Sequence, residues 1–338
     1  MTANLSRKRV AGVTLIELMV AMAIGSFLMI GAMTVFMQSR TTFRVNESIS
    51  RLQENARFVL DMVEPELRMT SYFGLTTRAN KFDNRATPLQ PTPPGLAVIG
   101  DCGPNWSIDL AREIGGNNNG YAWGCPAFGA AQPLADTLDI HRASEDPVGL
   151  LQPGTMYVQT ARFRNGLIFV GNVIPPGFLP APQSQPHLLR AIGFYVSQNS
   201  SQDTPGNPVP SLRMKTLVGG GFLGPTVVDQ EILPGVEDFQ VQFGVDTDII
   251  GTPTRGSVNR YVNPNDPILN PLAGAFLPDA EILSVRVWFR LRAERPEQGY
   301  VDINNYVYAD QNVPPPNDQF RRTVVSKTVY LRNARKAS

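Results

Sequence analysis

One run near the N-terminus limits what this chain can fold into. Arg7-Lys8-Arg9 leads to Gly12, and from Val13 to Met37 the only ionisable side chain is Glu17. As a helix, this stretch of roughly 25 residues covers ~37 Å at ~1.5 Å per residue, enough to cross a ~30 Å hydrocarbon layer with some tilt. The basic residues before it keep the N-terminus cytoplasmic and send the rest across the membrane. A cleaved secretory signal is the alternative. Such signals have an apolar core of about 7–15 residues and one small-x-small exit site. Here Ala21, Ala23, Gly25, Ser26, Gly31 and Ala32 are scattered through a longer run.

Glu17 needs a partner. A carboxylate left unpaired near the end of a lipid-embedded helix costs on the order of 2–3 kcal/mol. Cleavage after Gly12 would create an α-amino group at Val13, and that group on a neighbouring subunit could neutralise Glu17. Solvation at headgroup level is the other reading.

The helical pattern continues past the apolar run. Val45, Ile49, Leu52, Ala56, Val59 and Val63 recur every three or four residues, with Arg44, Glu47, Arg51, Glu54, Arg57 and Asp61 on the other faces. Pro65 is expected to end or kink the helix, giving a rod of roughly 75 Å from Thr14 to Glu64. The expected division is a basic leader over 1–12, a helix over 13–64 (membrane-spanning 13–37, amphipathic 38–64) and an exported domain over 65–338.

Beyond Glu64 no second long helical pattern occurs. Thr137–His141, Met156–Ala161, Leu167–Val173, Leu188–Gln198, Ser211–Val218, Val236–Val245, Leu283–Leu291 and Phe320–Leu331 read as strands, several with the period-two alternation of antiparallel sheet. Pro/Gly-rich stretches at 88–95, 175–186, 205–210 and 314–316 read as loops. The expected fold class is α+β, one long N-terminal helix packed on an antiparallel β-rich domain, with residues 65–136 a loop-rich insertion.

Composition excludes more than it assigns. Thirty Lys+Arg against 29 Asp+Glu leave a net charge of +1, which gives no support to nucleic-acid binding. The basic C-terminal stretch (Arg321, Arg322, Lys327, Arg332, Arg335, Lys336) reads as a solvated strand and terminus. Cys102 and Cys125, in an exported region, are expected to form a disulfide around the Gly/Asn-rich segment 115–120, with two buried thiols as the alternative. His141 and His187 are the only histidines, and no HExxH or GxSxG pattern occurs. Gly219-Gly220-Gly221 lacks the context of a phosphate loop and reads as a turn. Asp246-Thr247-Asp248 and the Asn263–Asp266 loop could offer oxygen ligands to calcium but are more simply turn formers. No catalytic residue, metal or cofactor is expected, and the chain is read as a non-enzyme.

Gly12-Val13-Thr14-Leu15-Ile16-Glu17-Leu18 resembles the class III signal of type IV pilins and type II secretion pseudopilins. The resemblance implies that a prepilin peptidase cuts after Gly12 and N-methylates Val13, where the family usually has Phe. It implies that Glu17 is the assembly carboxylate. Glu54–Asp61, Glu66-Leu67-Arg68 and Tyr72-Phe73-Gly74 are similar to PilW-type minor pilins. Leu233–Val241 looks like a strand motif shared with J-type pseudopilins, and Ser284–Trp288 and Arg321–Asn333 fit the same family. The implied function is initiation and assembly of the type IV pilus, with other minor and major pilins and the inner-membrane assembly platform as partners. The implied location is a single pass of the bacterial inner membrane, with the C-terminal domain periplasmic. A J-like pseudopilin of type II secretion is the alternative, and a membrane-anchored periplasmic binding module or enzyme a more distant one.

Overall fold

The computed structural model describes residues 12–112, 114–203 and 208–333. The leader before Gly12, and Arg335 and Lys336 of the basic tail, lie outside the described residues. The chain forms two compact units, residues 1–50 and 51–338. Helix α1 (Leu15–Arg68, 54 residues) contributes to each.

In the first unit no residue of α1 is buried. In the second, Leu52, Ala56, Val59, Val63 and Leu67 form its buried face. The apolar stripe read from the sequence therefore becomes core only from Leu52, since Val45 is half-buried and Ile49 exposed.

Pro65 does not end the helix, which runs on to Arg68. Proline removes one amide donor and crowds the preceding turn, but tertiary contacts hold the last turn in place. Leu67 is fully buried. Glu66 pairs with Arg142 at 2.6 Å and Arg190 at 3.6 Å, and Glu64 with Arg68 and Lys327. The Met69 amide donates to the Pro65 carbonyl at 3.1 Å.

The β-rich part contains two antiparallel sheets. The larger holds β1 (Ile114–Asn117), β2 (Thr137–Ala143), β3 (Met156–Ala161), β4 (Leu167–Val170), β5 (Ser184–Ser197), β6 (Ser211–Val218) and β7 (Thr226–Pro234). Its order is β1-β2-β5-β3-β4, with β6 beside β5 and β7 beside β6. The smaller holds β8 (Val236–Asp246), β9 (Arg260–Val262), β10 (Glu281–Arg292) and β13 (Arg322–Tyr330) in the order β13-β10-β8-β9. A hairpin of β11 (Tyr306–Tyr308) and β12 (Gln311–Val313) stands apart.

Two hydrophobic clusters organise this unit. One joins the buried face of α1 to Ile140, Ile192 and Phe194 of the larger sheet and to Val241, Phe243, Val285 and Val287 of the smaller. Within it Phe239 and Phe289 stack at 4.8 Å. The other cluster joins Phe73, Phe82, Leu96, Trp106, Ile108 and Leu110 to Val158, Ile168, Leu189 and Ala191. Apart from the last turn of α1, two short 3-10 turns and β1, the described residues of 65–136 have irregular backbone, yet they contribute a core of their own, and every residue of β2 is buried.

Strand β7 was not legible as a strand. Its side chains Asp229 and Glu231 pair across to β6, Arg213 reaching Asp229 at 2.6 Å and Glu231 at 3.0 Å, and Lys215 reaching Asp229 at 2.6 Å. Cross-strand charge stands here where hydrophobic alternation was sought. Nor is the basic C-terminal stretch simply solvated. The Arg322 side chain is buried and pairs with Glu237 (2.7 Å), Asp318 (2.6 Å) and Asp302 (3.2 Å), while Arg321 grips Glu297 at 2.5 Å. A buried guanidinium requires such partners.

Two outcomes follow from this packing. Leu67→Ala should lower stability by about 2–5 kcal/mol in chemical denaturation, the cost of a fully buried leucine. Burial pushes the Asp101, Asp109 and Asp238 carboxyls up, and that of Asp136 to about 7. Between the ordinary carboxylate range and 7 the folded chain keeps a proton that the unfolded chain releases, so this stabilisation is full at low pH and is lost as pH rises. The thermal midpoint should fall from pH 5 to pH 8, and Asp136→Asn should flatten that slope.

Candidate assembly site

Thr14 and Glu17 start α1 together. Glu17 Oε2 accepts from the Thr14 amide and from Thr14 Oγ1, each at 2.9 Å, and the Glu17 amide donates back to Thr14 Oγ1 at 3.3 Å. The Leu18 amide donates to the Thr14 carbonyl at 3.1 Å. This is a capping box, in which residues three apart satisfy one another's end groups. It places the one carboxylate of the apolar segment at the positive end of the helix dipole. The sequence reading sought a partner for Glu17 in another subunit and missed Thr14, although the T-x-x-E spacing signals it.

Gly12 and Val13 lie just before this cap and are exposed. A Cβ built on Gly12 meets nothing within 4 Å. The described fold therefore does not require glycine there.

From Leu15 the helix is apolar on all sides, with a mean hydropathy of 2.1 over its most apolar window. Its hydroxyls bond inward: Ser26 to the Ala23 carbonyl (2.8 Å), Thr34 to Gly31 (2.8 Å) and Thr41 to Met37 (3.1 Å). With backbone and hydroxyls satisfied within the segment, the surface is suited to lipid. It is equally suited to other helices of the same kind.

A second feature is a clipped loop. Cys102 and Cys125 are joined. The intervening segment is more ordered than the sequence suggested, because Gly115, Gly116 and Asn117 belong to β1 and pair with β2. A Cβ on Gly116 would lie 2.0 Å from the Thr137 carbonyl oxygen, so the pairing depends on glycine. Both ring nitrogens of His141 lie against carbonyls of this loop, Nδ1 at 2.8 Å from Arg112 and Nε2 at 2.6 Å from Trp106. The Asp101 carboxylate accepts from the Cys102 and Ser107 amides. After Cys125 the chain crosses the larger sheet as a strap. There Phe128 donates its amide to Tyr195 Oη (2.9 Å), and Lys215 Nζ donates to the Pro126 carbonyl (2.6 Å).

Several further polar groups shape the fold. His187 Nδ1 lies 2.9 Å from the Ser144 carbonyl, and burial holds its pKa below the usual histidine range. Asp246 accepts from the amides of Asp248 (2.9 Å) and Gly256 (2.6 Å), shaping its own loop. Asp266 caps a short 3-10 turn. Gly219-Gly220-Gly221 lies between β6 and β7. Among the described residues no group of His, Cys, Asp or Glu is arranged to hold a metal.

Two family models match the chain. One, described as Type IV Pilus-assembly protein W, covers residues 193–333, from within β5 to just beyond β13. The other, the Prokaryotic N-terminal methylation motif, covers residues 7–33, including Gly12, Val13 and the Thr14–Glu17 cap. No match was found among curated proteins or among solved structures.

Thr14→Val should remove the hydroxyl from the cap and cost about 1 kcal/mol at the helix start. Amide exchange of Leu15–Leu18 in lipid nanodiscs should quicken, with the second unit unchanged. Replacing both cysteines by serine should lower stability by ~3 kcal/mol, as expected for a closed loop of this size. Denaturation with and without reductant checks that value.

Proposed function

We propose that this chain, which the two matches support as a type IV pilus minor pilin of the PilW type, takes part in starting pilus assembly together with other minor pilins. It is a membrane-anchored pilin. In the proposed arrangement the residues before Gly12 stay cytoplasmic, the apolar part of α1 spans the inner membrane, and the β-rich unit is periplasmic. Prepilin peptidase cuts after Gly12 and methylates Val13. Glu17 then meets the new N-terminus of a neighbouring subunit as the helices pack on the assembly platform.

The observation that carries this reading is the start of α1. A carboxylate stands at the mouth of a lipid-compatible helix, held by Thr14 rather than by a buried cation. A hydrogen-bonded carboxylate keeps lone pairs for a further donor, so an incoming α-amino group can pair with Glu17 without unwinding the cap. Cleavage after Gly12 leaves the Thr14 amide in place, so the cap survives maturation. The absence of any packing demand for glycine at position 12 fits recognition by an enzyme acting on this segment.

The test is the N-terminal mass of the protein from cells with and without prepilin peptidase. The expected result is a chain beginning at methylated Val13, lost without the enzyme. An intact N-terminus, or a cut beyond residue 30, would sink the processing role. Glu17→Gln should leave cleavage intact and reduce surface piliation severely. Unchanged piliation would remove the assembly role.

A further inference from the structure

We propose that the seam where the β3–β4 and β6–β7 pairs abut along one edge of β5 is a docking face for a second copy of this chain. Three segments meet there: residues 147–155 before β3, residues 171–174 after β4, and residues 219–225 between β6 and β7. The Gly220 amide donates to the Gly154 carbonyl at 3.3 Å, and the Gly171 amide to the Thr155 carbonyl at 3.1 Å. The approach is close. A Cβ on Gly154 would lie 1.8 Å from the Gly221 carbonyl oxygen, and one on Gly219 would lie 2.1 Å from Thr155 Oγ1. Gly221 and Gly224 have φ of 59° and 93°, which side-chain-bearing residues rarely adopt. The turn is thus built to a fixed shape.

What it presents is apolar. Phe222 is fully exposed, Leu223 is 81% exposed, Leu150 75%, Val173 74% and Ile174 43%. The three segments contain no ionisable side chain, although charged residues make up 17% of the chain. Held tips of this composition mark a contact surface rather than a solvated loop.

Charge and area select the occupant. A charged partner surface would lose its water here without gaining a counter-ion. Loops that enter lipid carry Trp, Tyr, Lys or Arg at headgroup level, and these segments have none. A neutral receptor lies on the same domain. It is an open groove of about 730 Å³ whose lining includes Pro147, Val148, Ile174, Phe178, Leu179 and Pro186. Ile174 belongs to both the protruding face and the groove. With Phe222 fully exposed and Leu223, Leu150 and Val173 each at least 74% exposed, the apolar area on offer is on the order of the ~800 Å² per partner of a standard interface. A knob beside its own hole is self-complementary, so two copies can each insert Phe222 and Leu223 into the other.

This contact does not pass through Glu17 and stands apart from helix packing. The test uses full-length protein in membranes, expressed as two differently tagged copies, with a benzophenone amino acid replacing Leu223. Irradiation should join the two tags, with the adduct mapping to 147–149 or 174–186. Phe222→Asp should cut the yield at least tenfold while leaving the denaturation midpoint unchanged. The adduct should form equally with Glu17→Gln. An adduct only to lipid, only to a different subunit, or none would overturn the proposal, as would equal yield with Phe222→Asp.

Discussion

Leu52, Ala56, Val59, Val63 and Leu67 give the end of α1 one buried face, and side chains from both sheets close on it. Burying five such residues contributes on the order of 5–10 kcal/mol before entropy is subtracted. Among the described residues no other α-helix supplies residues to that cluster. Among the described residues the two sheets share no ladder. Side-chain burial against this stripe and against one another holds them together, and Asp136, just before β2, adds two ties to β8: its amide donates to the Phe239 carbonyl and its carboxylate accepts from the Val241 amide, each at 2.8 Å.

The same helix meets another requirement in its first half. There the surface is apolar on every side, with its hydroxyls bonded inward and its one carboxylate at the capped end. From Leu15 to Met37 Glu17 is the only charged side chain, and its carboxylate keeps lone pairs for a further donor. The segment's free energy is lowest in lipid or among similar helices. The methylation motif falls on this stretch and the PilW match on the β-rich part, which fits a chain whose anchoring and domain-building residues are separate in sequence.

How much was legible follows from which forces leave a local trace. The apolar run, the amphipathic stripe and the alternation in β8 and β10 could be read because each is a repeat within one segment. Strands β3 and β6 match their expected limits. Strand β7 was hidden because Asp229 and Glu231 answer Arg213 and Lys215 across the ladder. Arg321 and Arg322 were misread for the same reason, their partners Glu297, Glu237 and Asp302 being distant in sequence or supplied by loops. Residues 65–136 read as loops, yet they hold the last turn of α1 and strand β1, and their aromatic side chains build a core without period. Glu17 had a partner three residues away that was overlooked.

Strand β5 carries a consequence of another sort. Its 14 residues bond to β2, to β3 and to β6, and Ile192, Gly193 and Phe194 are shared between β2 and β6. Side chains of a strand change face with every step, so a one-residue shift here would invert three pairings together. An insertion or deletion within β5 therefore costs more than most substitutions there, Gly193 excepted, where an added Cβ would lie 2.6 Å from Trp123. Length variation would be expected to accumulate in the segments that leave the sheet.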